Sequence, residues 1–223
     1  MDDKGKLIVF EGACDGIGKS TQIGLLRKYL EDSGEIVINH HFPTYGTYHG
    51  APVEKYLLGE FGKIEDLSPY FINSLYAVDR ACAWHTKLKY LYNDGNILLF
   101  DRYTTSSLIY QAAKYKDIDE KKKFLDYVSD FEYNKLGIQE PDIVVFLTAP
   151  FDLVTEMRKN RIDNEGIVND LHERDIEYMK EVYDNSMFVA NYLNWNIIQC
   201  SNEYGMRSRE DIHNDIKKLI KKK

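Results

Sequence analysis

The chain has 223 residues, of which 43% are hydrophobic and 29% are charged, and its formal net charge is −7. A chain of this length can build a core that needs no disulfide bond or structural metal, and we expect one domain over residues 1–223. The negative charge provides no general attraction to nucleic acid or to an anionic membrane, so we expect neither as a partner. Any anionic ligand must therefore be bound by a local cluster of positive groups.

The cysteines and the N-terminal segment indicate the cellular compartment. Cys14, Cys82 and Cys200 are odd in number and far apart, which fits neither a disulfide framework nor a CxxC metal site. The first apolar run is too short, and its flank too acidic, for a signal peptide. No apolar run approaches the roughly 20 residues that span a bilayer. We therefore expect a reduced, soluble protein of the cytoplasm.

Short apolar runs alternate along the chain with longer segments of helical periodicity. The expected strands are Lys6–Phe10, Glu35–His40, Asn96–Phe100, Asp142–Leu147 and Trp195–Cys200. The expected helices are Ser20–Asp32, His49–Phe61, Pro69–Tyr92, Ser106–Lys114, Glu120–Lys135, Phe151–Arg161, Glu173–Leu193 and Arg209–Lys222. Continuous apolar strands are typical of parallel sheets buried on both faces. The pattern predicts an α/β fold, a three-layer α/β/α sandwich with a five-stranded parallel sheet, whose ligands bind at the carboxyl ends of the strands.

A glycine-rich segment joins the first strand to the first helix and ends in Gly-Lys-Ser-Thr. Glycines let the backbone N–H groups face a phosphate chain, and the helix N-terminus adds partial positive charge. Lys19 would reach the β- and γ-phosphates of ATP, and the Ser20 hydroxyl would bind Mg²⁺. The expected nucleotide-binding residues are Asp15, Gly16, Ile17, Gly18, Lys19, Ser20 and Thr21. The segment predicts a phosphate loop (P-loop), as in the P-loop NTPases.

The loop departs in one respect from the strict pattern G-x-x-x-x-G-K-[ST]. That pattern requires a glycine at position 13, but the chain has Ala13 there, and Gly12 stands one residue early. The loop therefore resembles a phosphate loop with one residue inserted near Cys14. The spacing from Asp15 to Thr21 is the normal one.

The other motifs select among nucleotide-binding proteins. The Asn-Lys-x-Asp motif with which switch GTPases read the base does not occur, and a buried strand ends instead in Asp101-Arg102. The sequence resembles the thymidylate (dTMP) kinase family, nearest to the type of some Gram-positive bacteria. The resembling segments are FEG…DGIGKSTQ (10–22), HFP (41–43), YLLGEFG (56–62), LYAVDR (75–80), DRYTTSS…YQAAK (101–114), FEYNKLGIQEPD (131–142) and HERDIEYMK (172–180).

The resemblance implies roles for individual residues. Asp101 would organise Mg²⁺, and Arg102 would bridge the donor and acceptor phosphates with its guanidinium group. Asp15 would contact the deoxyribose 3′-hydroxyl. Tyr76 and Arg80, which lie on one face of a helix because they are four residues apart, would hold the thymine.

Further substrate contacts follow from the same resemblance. Phe42 would form a wall of the pocket, and Ser106 and Gln111 would lie near the base, where the Gln amide can pair with the thymine edge. Family members often have an Arg just after the Phe-Pro pair to bind the acceptor phosphate. This chain has Thr44-Tyr45 at that point, so Arg102 and another cation would have to bind that phosphate.

A polar segment over residues 157–174 is the expected lid. Family members with Gly instead of Arg in the phosphate loop supply a catalytic Arg from the lid, and Gly16 occupies that position here. Arg161 is the first candidate, and Arg158 is the second. The usual lid pattern Asp-Arg-x-Glu is altered here to Asp-Leu-His-Glu.

The resemblance predicts an enzyme that transfers the γ-phosphoryl group of ATP to dTMP, with Mg²⁺, and that forms a homodimer. The expected catalytic residues are Lys19, Asp101, Arg102 and Arg161. Two alternatives stay open. A deoxynucleoside kinase would share the phosphate loop but would need a carboxylate base near a sugar hydroxyl. A non-catalytic nucleotide-binding paralogue would account for the inserted loop residue.

Overall fold

A computed structural model of the chain describes residues 4–14, 16–63, 66–156 and 176–221. The central sheet has five parallel strands in the order β2-β3-β1-β4-β5. The strands are β1 (Lys6–Gly12), β2 (Val37–His41), β3 (Ile97–Asp101), β4 (Ile143–Thr148) and β5 (Asn196–Gln199). The predicted five-stranded parallel sheet is therefore confirmed, and each expected strand lies within about two residues of its observed bounds.

Helices connect the strands. They are α1 (Lys19–Asp32), α2 (Ala51–Leu57), α3 (Pro69–Ala83), α4 (Lys89–Asn93), α5 (Thr104–Tyr110), α6 (Ile118–Ser129), α7 (Ile176–Tyr192) and α8 (Arg209–Lys221). Residues 151–156 are also helical. Ser68 caps the start of α3 and Asp117 caps α6, each by accepting a backbone N–H. In the described ranges, no helix is long and apolar enough to cross a membrane.

Two helices that the periodicity predicts as continuous are interrupted by π-helical turns. The predicted helix Pro69–Tyr92 is divided by the π-helical turn Trp84–Leu88, and the predicted helix Glu120–Lys135 ends in the π-helical segment Asp130–Lys135. A π-helical turn contains an extra residue, which rotates the side chains that follow. Trp84 and Leu88 of the first segment and Glu132 of the second are buried.

The sheet is buried on both faces, as the strand composition predicts. Leu7 and Val9 of β1 pack in one cluster with residues from α3 to α4, whereas Ile8 and Phe10 pack in a second cluster with α1 and α8. Alternate side chains of a strand point to opposite faces, so both faces are covered by helices. The three-layer α/β/α sandwich is confirmed.

Two further features of the fold concern the ends of the strands. A short antiparallel hairpin, β6 (Ser201–Asn202) with β7 (Gly205–Met206), follows β5 and has no counterpart among the expected strands. The carboxyl ends of β1, β2 and β3 are adjacent in the sheet. Polar side chains at these ends, including His41 and Asp101, are therefore brought to one edge.

Candidate active site

The phosphate loop connects β1 to α1, as expected. Gly16 and Gly18 have positive φ angles of 88° and 101°, a backbone conformation that side chains rarely adopt. Gly18 precedes the first turn of α1, and Lys19 opens that helix with only 8% of its surface exposed. Ser20 is exposed on the first turn. The start of a helix, whose first N–H groups have no acceptor within the helix, and a lysine are therefore adjacent in the chain, which suits the binding of a phosphate chain.

The inserted loop residue is absorbed inside the protein. Cys14 is 6% exposed and belongs to the hydrophobic cluster that contains Ile17. A Cβ atom at Gly12 would lie 2.7 Å from the Cγ2 atom of Ile17, so glycine is required at position 12 instead of position 13. The N–H of Ala13 donates to the Leu147 carbonyl oxygen at 3.0 Å, which ties the start of the loop to β4.

Asp101 lies at the end of β3 beside the phosphate loop. Its Oδ2 atom is 3.5 Å from Nδ1 of His41. Its Oδ1 atom is buried and has no hydrogen-bond partner among the described residues. Burial opposes ionisation, but the His41 hydrogen bond and the positive charges of Lys19 and Arg102 outweigh it and lower the pKa of Asp101. The carboxylate is therefore charged at neutral pH and has one oxygen available for a cation.

Arg102 is held in a strained backbone conformation next to Asp101. Its φ angle is +68°, which costs about 1–3 kcal/mol for a residue with a side chain. The guanidinium group lies 5.5 Å from the ring centre of Tyr110 and donates to that hydroxyl at 3.4 Å. Its Nη1 atom is 3.6 Å from Oε1 of Glu11. Strain retained at a charged residue beside a phosphate loop is typical of a functional position.

A cleft of about 180 Å³ opens beside the phosphate loop. It lies between the segment after β2, helix α3 and helix α5. Its lining includes His41, Phe42, Pro43, Tyr45, Leu57, Tyr76, Arg80, Arg102, Tyr103, Ser106, Ser107, Tyr110 and Gln111. The cleft is smaller than the roughly 300–1,000 Å³ of sites for drug-sized ligands, so it suits one part of a ligand, such as a base. It thus brings together six residues that the sequence predicts at the substrate: Phe42, Tyr76, Arg80, Arg102, Ser106 and Gln111.

Arg80 is almost completely buried and is fixed by a carboxylate. Its Nε and Nη2 atoms donate to the two carboxylate oxygens of Glu132, each at 2.6 Å. Nη2 also donates to the Ser107 hydroxyl at 2.9 Å, and Nη1 donates to the Tyr103 carbonyl oxygen at 3.3 Å. These bonds use four of the five N–H groups of the guanidinium. One N–H of Nη1 therefore has no acceptor among the described residues. Because Arg80 lines the cleft, this N–H is a candidate donor to a ligand.

The other expected base-side residues differ in their surroundings. Gln111 is 4% exposed, and its Oε1 atom is buried without a donor from any described residue. Phe42 is 2% exposed and packs against Tyr103. Tyr76 contacts Tyr56 edge to face, with ring centres 6.1 Å apart, and lines the cleft. The Ser106 hydroxyl donates to Glu11 at 2.5 Å, so Ser106 can offer only its lone pairs to a ligand.

A second buried carboxylate holds the loop that carries Phe42. Asp79, which is 1% exposed, accepts the backbone N–H of Thr44 at 2.8 Å and contacts Nδ1 of His49 at 2.6 Å. Asp79 and Arg80 are neighbours on α3. Asp79 attaches this helix to the loop that carries Phe42, and Arg80 attaches it to the π-helical segment Asp130–Lys135.

Sequence reasoning missed three buried acidic side chains, Glu11, Asp79 and Glu132. A signal existed for Glu132, because it follows Phe124 and Val128 at intervals of four residues and so lies on the apolar face of that helix. Glu11 directly follows the apolar run of β1. Asp15, Arg161 and the expected lid over residues 157–174 lie outside the described residues.

The fold and the site together define a class of protein. A phosphate loop between the first strand and the first helix, a strand-end Asp-Arg pair and an adjacent cleft are typical of nucleotide-binding enzymes that transfer phosphoryl groups.

Comparison with known proteins identifies the family. The family model described as thymidylate kinase matches residues 10–216. The chain is 34% identical to a probable thymidylate kinase of Thermococcus gammatolerans over 221 residues, which cover 97% of this chain and 96% of that protein. It is 33% identical to the thymidylate kinase of Mycobacterium tuberculosis over 173 residues, covering 77% and 79%. A solved structure of thymidylate kinase from Candida albicans superimposes with a TM-score of 0.71 at 22% identity, covering 98% and 92%.

The chain therefore belongs to the thymidylate kinase family, as the resemblance predicts. Its class is that of an ATP-dependent kinase of nucleotide biosynthesis. The expected relation to a Gram-positive bacterial type stays a prediction.

Proposed function

We propose that the cleft binds dTMP, that the phosphate loop binds ATP with Mg²⁺, and that the γ-phosphoryl group passes between them in line. The observation that carries this proposal is the position of Arg102, which is at the junction of the cleft with Asp101 and the phosphate loop. Phosphoryl transfer needs alignment and neutralisation of the oxygens more than covalent chemistry. An arginine held at that junction can contact the phosphates of both substrates.

The hydrogen-bonding groups of the cleft support a thymine base. Arg80 offers one N–H donor, and Gln111 offers one buried acceptor that no described residue bonds. The thymine edge has a carbonyl oxygen beside a ring N–H, which is the complementary pattern. Cytosine has an amino group beside a bare ring nitrogen, so both contacts would be mismatched and buried polar groups would be left unpaired. Tyr76 supplies an aromatic face for stacking.

The donor side has groups that fit Mg-ATP. The residues of the phosphate loop, Gly16, Ile17, Gly18, Lys19, Ser20 and Thr21, would surround the phosphates, and Asp15 is proposed by family resemblance. The buried Oδ1 of Asp101, which has no hydrogen-bond partner among the residues that the structure describes, and the Ser20 side chain, which is exposed, suit Mg²⁺, which prefers oxygen ligands and keeps several waters. Bound Mg²⁺ would neutralise charge on the phosphates. Lys19 would neutralise further phosphate oxygens directly.

The acceptor phosphate needs a cation in place of the arginine that the chain lacks after Pro43. Arg102 fills this role in our proposal, and His41 lines the same end of the cleft. Arg161 of the proposed lid would neutralise the remaining negative charge on the phosphoryl group that is transferred. The chain would act as one kinase domain with that lid.

The alternatives are less well supported. A deoxynucleoside kinase requires a free carboxylate near the sugar hydroxyl, but both oxygens of Glu11 accept hydrogen bonds and its side chain is fully buried. A non-catalytic paralogue would have no need for a strained Arg102 beside an ionised Asp101. Both features instead support catalysis.

A coupled assay of ADP release tests the proposal. We expect dTMP to be the best acceptor, dUMP to be accepted because it has the same base edge, and dCMP to be poor. Lys19→Ala should abolish most of the turnover, whereas Lys28→Ala, an exposed lysine of the same helix, should not change it. Absence of turnover with every monophosphate, or turnover with thymidine alone, would contradict the proposal.

We also propose a cytoplasmic homodimer that packs through α3. The exposed apolar side chains Phe71 and Val78 of this helix, at 39% and 47% exposure, support such a contact. Light scattering coupled to size-exclusion chromatography should give about twice the mass of one chain. The Val78→Glu variant should have a lower measured mass, because the charge would weaken the dimer contact. A monomer at micromolar concentration would contradict this.

A further inference from the structure

Glu11 is a buried carboxylate at the carboxyl end of β1, immediately before the phosphate loop. None of its surface is exposed. Its Oε1 atom accepts the N–H of Gly12 at 3.2 Å, and its Oε2 atom accepts the hydroxyls of Thr105 at 3.1 Å and Ser106 at 2.5 Å. The side chain therefore spans from the phosphate loop to the first turn of α5.

The same carboxylate provides the negative charge beside Arg102. Nη1 of Arg102 lies 3.6 Å from Oε1 of Glu11. The backbone N–H of Arg102 also donates to the carbonyl oxygen of Phe10 at 3.1 Å, one residue before Glu11. Arg102 is thus attached to the end of β1 through both its backbone and its side chain.

A carboxylate in this place needs a reason, because burial of a charge is costly unless the charge is paired. Glu11 cannot touch a substrate in the cleft, since it has no exposed surface. Its contacts instead reach two residues that line the cleft, Arg102 and Ser106. Of these two, Arg102 carries the charge that pairs with the carboxylate, so we expect the effect of Glu11 on the reaction to pass through Arg102.

We propose that Glu11 is a positioning residue, which holds the Arg102 guanidinium in register with the phosphate loop, while its hydrogen bonds to the start of α5 hold the carboxylate itself in place. This inference rests on the proposed role of Arg102 in phosphoryl transfer. Rates of such reactions are sensitive to alignment, and a misplacement of about 1 Å can cost about 10²-fold. Glu11 would therefore affect the rate of transfer more than the affinity for either substrate.

The test is Glu11→Gln, which keeps the shape of the side chain and removes its charge. We expect kcat to fall about 10- to 100-fold, while KM for ATP and for dTMP changes less than about threefold. Asp142→Asn is the matched control. Asp142, which directly precedes β4, accepts the Leu7 N–H at 2.7 Å, at the ends of β1 and β4 that lie opposite the phosphate loop. This variant should keep the wild-type kcat.

A double variant separates positioning from a structural role. If Glu11 acts through Arg102, then Glu11→Gln combined with Arg102→Ala should lose no more kcat than Arg102→Ala alone. Multiplicative losses, or a wild-type kcat in folded Glu11→Gln, would overturn the inference. If Arg102→Ala itself kept full activity, the proposed role of Arg102 would fail first. An inactive Arg102→Ala with a fully active Glu11→Gln would reject the inference alone.

A milder variant covers the case in which Glu11→Gln does not fold. Thr105→Val keeps the shape of a buried side chain and removes one of the hydrogen bonds to Glu11. We expect kcat to fall about three- to tenfold when Arg102 is present and to stay unchanged in the Arg102→Ala background. An equal fall in both backgrounds would overturn the inference.

Discussion

The buried pair of Arg80 and Glu132 allows a prediction in which stability and substrate binding can be separated. The side chains are 1% and 0% exposed, and the two charges are joined by two hydrogen bonds of 2.6 Å. Glu132→Gln keeps the volume but leaves the guanidinium buried without a counter-charge. The loss of one partner of such a pair costs about 3–5 kcal/mol.

This cost converts into a measurable change of melting temperature. For a chain of 150–250 residues, 1 kcal/mol corresponds to about 2–4 °C in Tm. We therefore expect Glu132→Gln to lower the Tm by about 6–20 °C in a circular dichroism melt. Asp184→Asn is the control, because it breaks an ion pair whose side chains are 49% and 59% exposed and should cost less than about 1 kcal/mol.

A double variant tests whether the pair also serves the base site. Arg80→Met with Glu132→Met removes both charges, which is often neutral or stabilising for a buried pair. We expect its Tm to lie near that of the wild type, while its affinity for dTMP, measured by calorimetry, falls at least about tenfold. Affinity for ADP should not change. A Glu132→Gln protein that melts within 3 °C of the wild type, or a double variant that binds dTMP normally, would refute the reasoning.

Three further predictions concern a proposed lid residue, the half-buried His40 and the thiols. Arg161→Ala should lower kcat about 10³- to 10⁵-fold if it acts on the transferring group, with the Tm nearly unchanged; a loss below tenfold would contradict the assignment. Burial lowers the pKa of His40 to about 4 from its usual 6.5, against the opposing charge of Asp79. The unfolded chain therefore binds the extra proton, and up to about 3 kcal/mol of stability should be lost as the pH falls from 6.5 to 4. His40→Gln should reduce that pH dependence in urea unfolding, and an unchanged dependence would contradict it. Burial raises the pKa of the Cys200 thiol to about 11, so Cys82 should be alkylated first in the native protein; rapid labelling of Cys200 would contradict this.

Much of the fold follows from local features of the chain. The apolar runs of β1, β3 and β4 are long enough and continuous enough to predict buried parallel strands, and all three lie at the expected positions. The phosphate loop is equally local, because its glycines, its lysine and the helix start are consecutive in the chain. Such features depend on neighbours within a few residues, so the sequence alone reveals them.

The tertiary structure decided which distant side chains meet. Glu132 reaches Arg80 across 52 positions, and Glu11 reaches Ser106 across 95. Neither pair has a periodicity that links its members. The Glu11–Ser106 contact depends on the pairing of β1 with β3, which brings the start of α5 next to the end of β1. The Arg80–Glu132 contact joins α3 to the π-helical segment Asp130–Lys135. The sequence by itself determined the sheet, the phosphate loop and the family. Only the packing of the layers decided which carboxylates hold the arginines, because a buried charge is tolerated only where the fold brings its partner.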